Sequence, residues 1–147
     1  MKSAVETRSW MPLRLSIAAT LILLTIQGLT GNYVSIFGFT YPSGGVEQSI
    51  SGFFKAVMNG GPYLILHAMV GIFILLLAVG VLVVSLLHSR IGVKIAAVLG
   101  LLFVISAGVG GYLFALSGFF AQGNTMEMGV SFIGAYAFYF ITLWYTR

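Results

Sequence analysis

His67 is the side chain best suited to chemistry in this sequence. It stands early in an apolar run opened by Pro62, and no charged residue follows it before Arg90. An imidazole can ligate a metal, donate and accept hydrogen bonds, and titrate near neutrality. Inside a membrane helix such a group is costly, which makes the position a functional-site candidate. At 1.5 Å per residue it lies about 7 Å from the outer end of its helix, a depth that Gln27, Met126, Glu127 and Met128 share. Together they predict an outer-leaflet polar cluster. Histidine with a methionine thioether is a haem axial pair, with His67 as metal ligand and Met128 or Met126 as its partner. Glu127 and Gln27 would then be the surrounding polar groups, a carboxylate beside a histidine serving as proton relay or orienter. A quinone accepting a hydrogen bond from His67 fits the same residues. Equally open is a structural role, with His67 bonded to a carbonyl or to Gln27 across the bundle.

Gly71, four residues after His67, shares its helix face and leaves space for a flat ligand or a close helix. Farther on, Ser106/Gly110 and Ala107/Gly111 repeat small residues at four-residue spacing, a pattern of close helix packing. His88 lies about 31 Å of helix beyond His67, too far to share a metal, and is expected to be solvated or to cap the last carbonyls of its helix.

The elements that position these residues follow from composition. With 59% hydrophobic residues, 7% charged and a mean hydropathy of +1.06, the chain falls far below the charged fraction of about 25% typical of soluble domains. Four apolar stretches, roughly 13–37, 62–87, 95–118 and 128–146, reach the ~20 residues that cross hydrocarbon. They lack the alternation of barrel strands, so the prediction is all-α: a single domain forming a four-helix transmembrane bundle. Between the first two spans, Val46, Ile50, Phe53, Phe54 and Val57 form a helical stripe bounded by Ser43–Gly45 and Asn59–Pro62, which predicts a short amphipathic outer helix. Trp10, Tyr33, Tyr41, Tyr63, Trp144 and Tyr145 fall where aromatic belts form.

Lys2, Arg8, Arg14, Arg90, Lys94 and Arg147 fall on one side of the predicted spans, six of the seven basic residues. The positive-inside rule therefore makes both termini cytoplasmic in a multi-pass cell-membrane protein. The net charge of +4 is spread over helix ends, which reports topology and gives no basic patch for nucleic acid. With no cysteine, thiolate metal sites and dithiol redox chemistry are excluded. No Asp, no glycine-rich phosphate loop and no HExxH motif occurs, which argues against hydrolysis. The predicted spans also hold no acidic residue, which argues against a proton-coupled small multidrug transporter.

From about residue 43 onward the layout resembles one half of the heme A synthase family. The shared features are an amphipathic outer helix, a histidine near the outer start of a helix with glycine four residues later, a short basic link, a glycine-bearing helix, a short turn and a closing helix. The resemblance implies haem b held by His67 and a role in respiratory electron transfer or oxidase assembly. Two positions depart from the family pattern: Tyr63 stands where it carries glutamate, and Met126 or Met128 where it carries a second histidine. The partner of His67 would then be methionine, a histidine from another protomer, or none. The alternative is a non-catalytic accessory subunit, and either reading predicts membrane lipid and a homo-oligomer or larger membrane complex as partners.

Overall fold

The computed structural model describes residues 10–37, 46–120 and 122–146. Tyr41, the Ser43–Gly45 turn, Lys2, Arg8 and Arg147 lie outside these residues. Among the described residues there are five helices: α1 (Met11–Phe37), α2 (Ile50–Asn59), α3 (Pro62–Leu86), α4 (Ile91–Leu116) and α5 (Gln122–Tyr145). Four are long and apolar enough to span a membrane, and α2 is the amphipathic connector. The chain is a multi-pass membrane protein of all-α architecture.

The bundle is a ring in which α3 packs on α1 and α4, and α5 packs on α4 and α1, leaving α1/α4 and α3/α5 as diagonals whose backbones do not approach closely. Leu13, Ile17 and Leu24 from α1 meet Ile74, Ala78 and Val81 from α3, Val93, Ala97 and Val104 from α4, and Ala135 and Tyr139 from α5 in one core. Elsewhere the spans expose large side chains such as Ile22, Leu76, Val83 and Ile133. Helices apolar on both inner and outer faces suit lipid as their solvent.

Several hydroxyls within the spans bond their own helix. Thr20 donates to the Ser16 carbonyl, Ser85 to Leu82 and Thr142 to Phe138. This meets the demand that polar groups in hydrocarbon be satisfied internally.

Two boundaries differ from the sequence reading. α4 begins at Ile91 and absorbs Lys94, because Arg90 at its N-cap is extended and its carbonyl accepts from Val93. α5 begins at Gln122, so Met126 and Glu127 lie inside the last spanning helix rather than before it. The polar first turns of α5 hid this start from a hydropathy reading, and the expectation of no acidic residue within a span does not hold for Glu127. Between these helices the turn closes with Gly118 at φ 70° and Phe119 at φ 68°. The Phe119 N–H donates to the Phe114 carbonyl at 3.0 Å, a left-handed helix stop, and its ring is buried on Ala56 and Ala115.

Candidate functional site

His67 occupies the second turn of α3 and points at α1, where Gln27 and Thr30 meet it one helical turn apart. The ring Nε2 lies 3.1 Å from Gln27 Nε2, and Nδ1 lies 3.1 Å from Thr30 Oγ1. Thr30 Oγ1 also lies 3.1 Å from the Gln27 carbonyl, to which it donates. A threonine hydroxyl has one proton. Having given it to that carbonyl, Thr30 accepts from His67 Nδ1–H, which leaves Nε2 as an acceptor for the Gln27 amide N–H. With the Gln27 amide nitrogen facing the ring, the contacts fit the neutral Nδ1–H tautomer, with the Nε2 lone pair turned toward Gln27.

Two glycines make this approach possible. A Cβ at Gly31 would stand 3.0 Å from His67 Cε1, and one at Gly71 would stand 3.3 Å from Gln27 Nε2. The space that Gly71 leaves on the histidine face thus holds the Gln27 amide. Its other end is not satisfied: Gln27 Oε1 is buried without a hydrogen-bond partner, one of two such side-chain atoms among the described residues, with the Tyr139 hydroxyl.

Of the other predicted site residues, Glu127 and Met128 lie on the α4/α5 seam. Ser131 Oγ donates to Ser106 Oγ at 2.9 Å, and Ser106 Oγ donates to Glu127 Oε1 at 3.2 Å. Met128 lies against α4, its sulfur 3.3 Å from the Cβ position of Gly111. Met126 is 74% exposed. Since α3 and α5 are diagonal, the single outer cluster of the sequence reading resolves into two: Gln27, Thr30 and His67 between α1 and α3, and Ser106, Glu127 and Ser131 between α4 and α5. Gly110 and Gly111 serve helix packing, with Met128 filling their space.

Of the two roles expected of His88, solvated or capping the last carbonyls of its helix, the solvated one does not hold. His88 is 5% exposed, its ring centroid lies 4.3 Å from that of Trp10, and Nδ1 accepts the Arg90 N–H at 3.1 Å. It joins the end of α3 to the start of α4 and α1. The expected interfacial aromatics divide likewise: Tyr33 and Tyr63 pack as tilted rings with centroids 4.3 Å apart, while Trp144 is exposed.

A groove of about 480 Å³ opens between α1 and α5, lined by Thr25, Gly28, Leu29, Phe132, Ile133 and Tyr136 among others. None of the three residues of the His67 network lines it. Thr30 and Gly31, the two contributors missed in the sequence reading, carried a weak signal: they lie three and four residues after Gln27, on its helix face. No protein-family model, curated protein or solved structure matches this chain.

Proposed function

We propose that the protein holds a b-type haem or a quinone through His67 within one membrane leaflet, in respiratory electron transfer or oxidase assembly. The observation that carries this reading is the Thr30–His67 bond. A metal-binding histidine ordinarily gives its second N–H to a neighbouring acceptor, which fixes the tautomer and turns the other nitrogen to the metal. Thr30 provides that acceptor. The Nε2 position faces the Gln27 amide, and that amide leaves its own oxygen unpaired. Displacing it exposes the one nitrogen suited to iron or to a quinone oxygen, and frees the Gln27 side chain to pair elsewhere.

Haem held here would supply one-electron redox chemistry. Thr30 would orient the imidazole and His67 would ligate. Met128, turned toward α4, and Met126, on the surface, stand outside this network. That leaves a five-coordinate site or a ligand from another protomer. The grouping of Arg14, Arg90 and Lys94 at the end opposite α2 supports the orientation with both termini cytoplasmic. The layout shared with half of a heme A synthase belongs to the same proposal.

Optical spectra of purified protein after haem supplementation, oxidised and reduced, test the haem form. A Soret band lost in His67→Ala and retained in Gln27→Ala is expected; wild-type protein without one eliminates haem. Quinone extracted from wild type but not from His67→Ala supports the other ligand.

A second reading rests on the engagement of both ring nitrogens by α1. His67 is then a helix clamp, and the protein a non-catalytic subunit of a larger membrane complex. Copurification with such a complex, unchanged in assembly and spectra by His67→Ala, favours this role.

A further inference from the structure

α2 has three faces, and one of them has no place in either the bundle or water. Gly52, Ala56 and Val57 are buried and Phe53 is half-buried, its ring 5.3 Å from that of Tyr112. This face rests on α3 and α4. Ser51, Lys55 and Asn59 form a polar, exposed face. Between them Ile50, Phe54 and Met58 recur every fourth residue and are 69%, 54% and 63% exposed. Three large apolar side chains in a row, about 12 Å long at 1.5 Å per residue, are left uncovered.

The helix cannot roll to hide them. Ser49 caps its first turn by accepting the Gly52 N–H at 3.0 Å. Gln48 Nε2 donates to the Leu116 carbonyl at the end of α4, at 2.8 Å. Ala56 is locked against Ala115 and Phe119. Its level is equally fixed, because Pro62 opens α3 two residues after Gly60 and α4 ends at Leu116 beside it. α2 thus lies where two spans leave the hydrocarbon, the depth at which Tyr63 and Phe120 also expose their rings. At that depth an apolar flank meets acyl chains, and a polar flank meets headgroups and water.

We propose that α2 is a half-inserted interfacial helix, with Ile50, Phe54 and Met58 seated in the acyl chains of the adjoining leaflet. Ser51, Lys55 and Asn59 face the headgroups. The occupant of the exposed stripe is phospholipid. This assignment stands apart from the ligand of His67.

The chain has no cysteine, so single-cysteine variants carry a nitroxide without background. Phe54→Cys, Met58→Cys and Lys55→Cys, all at exposed positions, are labelled in the full chain and reconstituted in phosphatidylcholine–phosphatidylglycerol vesicles. Power saturation with oxygen and with a water-soluble nickel chelate reads the depth. Expected is oxygen-dominated relaxation at 54 and 58 and nickel-dominated relaxation at 55. Nickel access at all three positions would put the stripe in water and overturn the proposal. Protection of 54 and 58 from both agents would show a protein partner or second copy covering the stripe, and overturn it equally.

Discussion

Gln27 Nε2 and His67 Nε2 lie 3.1 Å apart across the α1–α3 interface, and the far side of the same imidazole is held by Thr30. One histidine thus ties two adjacent positions of α1 to α3. Measured couplings between polar side chains in membrane bundles average about 0.6 kcal/mol, with a maximum near ~1.7. A double-mutant cycle of Gln27→Ala and His67→Ala, read by unfolding in mixed micelles, should give a coupling of about 0.5–1.5 kcal/mol. Additive losses would mean that the two side chains do not share a bond.

Thr30→Val keeps shape and removes the hydroxyl that accepts from Nδ1. The proton is then free to move to the other nitrogen, where it opposes iron binding. The haem reading therefore expects weaker haem retention in Thr30→Val and rescue in Thr30→Ser. Haem titrations followed at the Soret band measure this. Equal retention in all three proteins would remove Thr30 from the site.

Much of the fold was legible in the sequence because hydropathy decides it: a span must be long and apolar, and its ends must carry charge or aromatic rings. The misplaced start of α5 came from the same rule, since Gln122, Asn124 and Thr125 are polar yet helical. The site was only partly legible. His67 and Gln27 announce themselves as polar groups in apolar helices, but their pairing depends on helix rotation and on which helices are diagonal. That arrangement separates Met128 and Glu127 from His67 despite their similar depth. Thr30 was harder to find, because a threonine in a membrane helix ordinarily bonds its own backbone, as Thr20 does.

The serine chain on the α4/α5 seam makes a directional claim. Ser131 gives its proton to Ser106, which gives its own to Glu127. Ser106→Ala leaves a buried donor and a carboxylate oxygen without that bond, whereas Glu127→Gln retains an acceptor oxygen. Ser106→Ala is expected to lose about 1–2 kcal/mol and Glu127→Gln less than half of that, by unfolding in micelles. The reverse order would mean that the carboxylate charge, and not the hydrogen-bond chain, holds this seam.

Glycines on facing helices set the sharpest packing test. A Cβ at Gly100 would come 2.9 Å from Tyr139 Cζ, whereas nothing lies within 4 Å of one at Gly80. Tyr139 is fully buried at 0% exposure and cannot swing outward without opening the α4/α5 core. Gly100→Ala should therefore destabilise by about 1–3 kcal/mol through overpacking. Gly80→Ala, facing open space in mid-helix, should be neutral or gain up to about 1 kcal/mol from helix propensity. Unfolding midpoints of the two variants, measured side by side, check the pair. An equal response would mean that Tyr139 does not pack over Gly100 as described.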